Sequence, residues 1–379
     1  MSVHYRPSLT EPLEYSGANS PSDINRAKLK SQRSLSAKMR ILIGMGGFVW
    51  VNYIYQSYII GEFAAYPEPV AVKLRRALFY SNIEVSPKDA MKYYRQALEV
   101  AAEVGMDPFS EEVLGIKLQL AHFLEKIQRY EQSINVLELV RRDCLQWVEE
   151  RGDLEGNAGQ RTKVLSKAVA IAVKLGELYA NRYVLQREMA EDRLAWSVET
   201  ALKEKKRREE EGTKPGEGDW ITDEEFGGAL ETLGHYYEER DAHYLAAPCF
   251  LQAIALIPTS HCHSVVLMNN LASSLAQQLP PPTPNTPPAS RADMIASARA
   301  WAQKAIDVAA NIKPPARTED CDQGCAVATH NLGEFAEMEG RVAEARNRYE
   351  EARSLAKGLG FAEGVGMADA GLKRLKGKG

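Results

Sequence analysis

Two hydrophobic patterns divide the chain. Ile41 to Ile60 reads ILIGMGGFVWVNYIYQSYII and carries no charged residue. From Pro69 onward, apolar residues recur with helical spacing almost to the C-terminus, and no stretch alternates with the period of two that a half-buried strand needs. The charge-free run is long enough, at about 1.5 Å per residue, to span the roughly 30 Å of a hydrocarbon core. Trp50, Tyr53, Tyr55 and Tyr58 crowd its second half, where amphipathic rings favour a membrane interface. Arg26, Lys28, Lys30, Arg33, Lys38 and Arg40 precede it, whereas the first charge after it is Glu62. This asymmetry predicts a single transmembrane helix over 41–60, with the short basic segment 1–40 kept on the side of insertion and everything after Gly61 sent across. The stretch Ile24 to Arg40 is also serine-bearing and free of acids, as mitochondrial presequences are.

The helical body repeats itself. The unit starting at Gly227 places Leu230, Leu233, Gly234 and Tyr237 on a first helix, then Ala246, Phe250, Ala253 and Pro258 on and after a second. The unit starting at Ala326 follows with Leu332, Gly333, Ala345, Tyr349 and Ala352. Weaker units begin near Ala71 and Leu114, around Leu175 and Gly176, and around Leu271 and Ala272. Two antiparallel helices in about 34 residues, with small residues where they cross and large ones beside them, are the signature of the tetratricopeptide repeat (TPR). The expected architecture is an all-α solenoid over 69–375, of about six helix pairs. A last helix, Phe361 to Leu375, would cover the open apolar face of the final pair. Thr222 to Glu225 forms a capping box, and Ser86-Pro87 reads as N-cap and first helical residue.

Two insertions interrupt the array. Lys203 to Asp219 is a charge run ending in glycines and a proline, expected to be a solvated helix extension fraying into a loop. Pro280 to Ser290, PPPTPNTPPAS, can hold no helix and reads as an extended loop.

Composition narrows the function. The net charge of −4 over 379 residues argues against a general nucleic-acid binder. No phosphate-binding loop, zinc-protease helix or serine-nucleophile elbow is present, so no catalytic residue and no cofactor is expected. The five cysteines are scattered. Three readings of the pair Cys321 and Cys325 stay open: a disulfide between them, a zinc site completed by His330 and the cluster His261-Cys262-His263, or no special role.

The array itself points to binding. First helices of stacked TPRs line a groove. Here the lining positions hold His122, Glu125, Glu177, Asn181, Glu231, His235 and Glu238, then Asn269, Ser273, Gln277, His330, Glu334 and Glu337. Such a groove is expected to be polar and acidic, with Lys126 an exception, and to favour extended segments that are basic or rich in hydrogen-bond donors.

One family resemblance adds to this. The presequence-like start and single span are followed by YPEPVAVKLRRALFYSN, DAMKYYRQALEVAAEVGMDPFSEEVLGIKLQLA and CAVATHNLGEFAE. Together these resemble the fungal TPR adaptor subunit of the mitochondrial inner-membrane i-AAA protease complex. The resemblance implies a single-pass inner-membrane protein with its N-terminus in the matrix and its TPR domain in the intermembrane space. The implied partners are the i-AAA protease, its other adaptor subunits, the lipid bilayer and unfolded or misfolded clients. The alternative is an outer-membrane import receptor or cochaperone facing the cytosol. Such proteins clamp a carboxylate with a Lys/Asn/Arg set, and here the first unit has Arg75 but Phe79 where Asn belongs.

Overall fold

The computed structural model describes residues 63–278 and 290–376. Among them lie thirteen α-helices and no strand. The chain divides after Val72 into two units, a boundary that falls inside the first helix, and all the later helices belong to the second. The pairs are α1 (Glu68–Asn82) with α2 (Pro87–Glu103), α3 (Glu111–Lys126) with α4 (Tyr130–Arg151), and α5 (Ala158–Ala180) with α6 (Arg187–Glu211). They continue with α7 (Asp223–Glu238) and α8 (His243–Leu256), α9 (His263–Gln277) and α10 (Arg291–Asn311), and α11 (Glu319–Met338) and α12 (Val342–Leu359). A closing helix, α13 (Ala362–Lys376), packs on α11 and α12. Six pairs and a closing helix are the all-α, TPR-like architecture expected from the periodicity. The segments 1–40 and 41–60 lie outside the described residues, as does most of the proline-rich insertion. Among the described residues, no helix is long and apolar enough to cross a membrane.

Helix starts follow the capping chemistry of the sequence. The Thr222 hydroxyl accepts from the Glu225 amide at 3.1 Å, and the Glu225 carboxylate accepts from the Thr222 amide at 2.8 Å. This closes the capping box at the head of α7, one turn before the repeat signature begins. Ser290 caps α10 in the same way, accepting from the Asp293 amide. Ser86 departs from expectation: it stands at the N-cap with Pro87 after it, but its hydroxyl donates to the Asp89 carboxylate instead of accepting a backbone N–H.

Three of the six pairs cross where a glycine of the first helix meets a large side chain of the second. A Cβ at Gly176 would come 2.3 Å from Leu194, at Gly234 2.7 Å from Phe250, and at Gly333 2.9 Å from Tyr349. Leu194, Phe250 and Tyr349 are fully buried, so they cannot swing aside. The closing helix repeats the device, since a Cβ at Gly371 would lie 2.7 Å from the ring of Tyr349. Tyr349 is therefore held between glycines of α11 and α13, in a cluster with Ala336, Ala345 and Leu375.

The charge run of the first insertion is largely exposed, as the sequence suggested, but it is anchored at two buried carboxylates. Residues 203–211 complete α6, and the loop after them folds back onto α5. Gly159, near the start of α5, approaches the Gly216 carbonyl so closely that a Cβ would lie 2.5 Å away. Glu204 and Glu217 are buried. Glu204 is met by Arg161, Arg207 and Arg208, while Glu217 pairs with Arg207 and accepts from the Lys214 amide. Burial raises the Glu204 carboxyl, and hydrogen bonds from Arg207 and Arg208 more than reverse this, leaving it below its ordinary value. Arg208 also donates to Thr162, so the network ties the end of α6 to α5.

Two glycine-to-alanine substitutions should act in opposite directions. Gly176→Ala sets a methyl group into Leu194, and overpacking should outweigh the gain in helix propensity, lowering stability by about 1–2 kcal/mol. Gly228→Ala, in α7, meets nothing within 4 Å and should raise stability by up to about 1 kcal/mol. Urea unfolding followed by circular dichroism distinguishes the two.

Candidate functional site

The first helices α3, α5, α7, α9 and α11 lie side by side, joined by polar side chains from neighbouring repeats. Lys174 of α5 reaches Glu125 of α3 at 3.0 Å and Glu177 of its own helix at 3.2 Å. Between α7 and α9, His263 binds Glu231 at 2.7 Å and Ser274 donates to Glu238 at 2.6 Å. His235 lies 3.1 Å from Glu238 and 3.6 Å from Glu231. Asn269 of α9 donates to the Gly324 carbonyl of α11 at 2.9 Å. At the last repeat, Arg374 of α13 reaches back to Glu334 and Glu337, both at 3.2 Å, and the Tyr349 hydroxyl donates to Glu337.

The groove residues expected from sequence therefore fare differently. His122 and Gln277 are exposed, and Ser273 is half-buried. Asn181 closes α5, its side-chain oxygen accepting from the Tyr183 amide. Asn269 and His330 are buried, with His330 lying 3.4 Å from Glu334. Glu125, Glu177, Glu231, Glu238, Glu334 and Glu337 all have basic or hydroxyl partners. The acidic surface anticipated for basic segments is largely neutralised by its own neighbours. The exception Lys126 is likewise engaged, donating to Asn82 and to the Ser81 carbonyl. The partners missed from sequence, Lys174, His263 and Arg374, come from outside the lining positions, and only the stacking of repeats brings them in.

The α7–α9 cluster has a defined charge state. Hydrogen bonding to Glu231 and Glu238 raises the His235 imidazole to about 9, and Glu231 likewise raises His263. Burial pushes the Glu231 carboxyl up, but the two imidazoles outweigh it and bring it down to about 2.

The cysteines give a different bridge from the one considered in the sequence. Cys262, at the head of α9, is bonded to Cys321, at the head of α11, with Cα atoms 4.8 Å apart. Cys325 is a free thiol, as are Cys144 and Cys249. Residues four apart on a helix hold their Cβ atoms about 5–6 Å apart, beyond the roughly 4.5 Å a disulfide spans, which excludes a Cys321–Cys325 bond within α11. Closing 59 residues between Cys262 and Cys321 contributes on the order of 4 kcal/mol in the chain-entropy picture. The zinc reading loses its ligands: Cys262 and Cys321 are spent on each other and His263 on Glu231. Among the described residues, no group of three or more His, Cys, Asp or Glu could hold a metal.

The chain is similar to a TPR repeat-containing protein of Schizosaccharomyces pombe, 27% identical over 315 residues, which covers 82% of this chain and 79% of that protein. No family model matches the chain. Among solved structures, the nearly identical TPR-like repeats from Podosopora anserina align with 14% identity and a TM-score of 0.41, covering 64% of this chain and 95% of theirs. The apo form of RapI aligns with 13% identity and a TM-score of 0.43, covering 82% and 99%. The helix pairs, their small-to-large crossings and the yeast relative together define an all-α TPR-like repeat protein.

The His235 cluster should make stability pH-dependent. A folded-state imidazole at about 9 against an ordinary 6.5 contributes fully below pH 6.5 and loses its contribution as pH rises through 9. Glu231 acts at the other end, contributing above its ordinary 4.5 and fading only towards pH 2. Because the His235 side chain is 48% exposed, solvent screening limits the effect to on the order of 1 kcal/mol. His235→Gln should flatten the fall in unfolding free energy between pH 6.5 and 9, measured by urea titration at each pH.

Proposed function

We propose that the chain is a membrane-anchored adaptor that binds unfolded or misfolded proteins and presents them to the mitochondrial i-AAA protease, alongside that protease's other adaptor subunits. It catalyses no reaction of its own in this reading. The observation that carries it is the row of first helices, held in register by polar contacts between repeats, which offers one continuous surface for an extended partner. The expected membrane span at 41–60 and its basic flank support an inner-membrane location with the array in the intermembrane space. The Cys262–Cys321 bond fits an oxidising compartment of that kind. The cytosolic import-receptor alternative gains nothing from the first unit, which has Arg75 but Phe79 where the carboxylate clamp of such receptors needs Asn.

Protease treatment of isolated mitochondria carrying a C-terminally tagged chain tests the reading. The tag should survive in intact organelles, be cut once the outer membrane is opened by swelling, and co-purify with the i-AAA protease after mild detergent extraction. Cleavage in intact organelles would place the array in the cytosol and favour the import-receptor alternative.

A further inference from the structure

The internal ion pairs leave one part of the first-helix face open, and it lies around α5. On one side, α3, α4 and α5 enclose a cavity of about 230 Å³ with Leu118, Leu137 and Ile171 in its wall. On the other, α5 and α7, with Ile221 just before α7, enclose a second of about 350 Å³, with Val173 in its wall and Gly228 at its edge. Lys167 and Ala170 line both, so only the width of α5 separates them.

Two observations say what this trough accepts. Its neighbours on α5 are spoken for, Lys163 by Glu111 and Lys174 by Glu125 and Glu177, but Lys167 has no hydrogen-bond or ion-pair partner among the described residues. Lys174 and Glu125 also line the first cavity but pair with each other, and Glu225 of the second is turned to the Thr222 cap. The unpaired charge between these mainly apolar cavities is therefore the Lys167 cation, which complements a carboxylate between two apolar side chains. The second observation is Gly228. A glycine inside a helix costs about 1 kcal/mol relative to alanine. No close helix crossing requires this one, because a Cβ there would meet nothing within 4 Å. Its effect is to keep the second cavity open.

Resting on the adaptor reading, we propose that this trough binds an extended client segment bearing two large apolar side chains three residues apart, with an acidic side chain between them. In a polyproline-like extended chain, residues i and i+3 point the same way and lie about 9 Å apart. That is close to the roughly 10 Å breadth of a helix, so one apolar side chain enters each cavity, while the carboxylate, on a residue turned about 120° from them, is met at the flank by the long, half-buried side chain of Lys167. The preference is the reverse of the basic segments suggested by the sequence, because the carboxylates of this face are already paired and this lysine is not.

The test uses the full chain in lipid nanodiscs and a fluorescein-labelled octapeptide with leucines three apart and a glutamate between them, read by anisotropy. Lys167→Glu should weaken binding at least tenfold, and replacing the peptide's glutamate by lysine should restore it on that variant. Gly228→Leu, which fills the second cavity, should also weaken binding at least tenfold with no loss of thermal stability. Equal binding to wild type and Lys167→Glu, or tighter binding of the lysine peptide to wild type, would overturn the proposal. A reduced, carboxymethylated lactalbumin serves as the unfolded-protein control. If the wild-type chain retains it but not the octapeptide, the trough assignment fails and the adaptor reading stands. If it retains neither, both fail.

Discussion

In three of the six helix pairs, the distance between the two helices is set by a glycine lying against a large, fully buried side chain. Gly176 against Leu194, Gly234 against Phe250 and Gly333 against Tyr349 each leave no room for a methyl group. This contact fixes which side of the first helix turns inward, and so which side is left for neighbouring repeats and for partners. The closing helix obeys the same constraint, laying Gly371 on the far side of the Tyr349 ring, so the last pair is covered by the device that builds it.

Polar chemistry then does a second job. A carboxylate exposed on one first helix meets a base supplied by the next element: Lys174 for Glu125, His263 for Glu231, Arg374 for Glu334. The disulfide between the heads of α9 and α11 works in the same direction, joining consecutive repeats covalently. The inserted charge run adds a buried carboxylate–guanidinium network between α5 and α6. These contacts align the repeats and consume most of the charge a partner would feel. What remains open is the strip around Lys167, where apolar walls and an unpaired cation coincide.

Contacts within a repeat could be read in the sequence, and contacts between repeats could not. Gly234, Phe250, Gly333 and Tyr349 sit at fixed spacings along the chain, so the periodicity that defines a helix pair also names its crossing residues. The capping box at Thr222 is equally local. By contrast, the partner of Glu231 is 32 residues away, that of Glu334 is 40 and that of Cys262 is 59. No spacing rule connects those positions, which is why the face was expected to be acidic and why Cys325 was considered as a disulfide partner for Cys321. Lys203 to Asp219 could be read as an exposed helical extension ending in a loop, but not the arginines from both helices of the pair that converge on its Glu204.

The central claim is that partners are held by the first helices and not by the second. A photo-crosslinking amino acid placed at Ala170, exposed on α5 between the two cavities, and separately at Leu251, exposed on α8, tests it directly in intact mitochondria. The account predicts adducts to unfolded client protein from position 170 and none above background from position 251. Client adducts from 251 with none from 170 would contradict it, and would move the binding surface to the opposite face of the array.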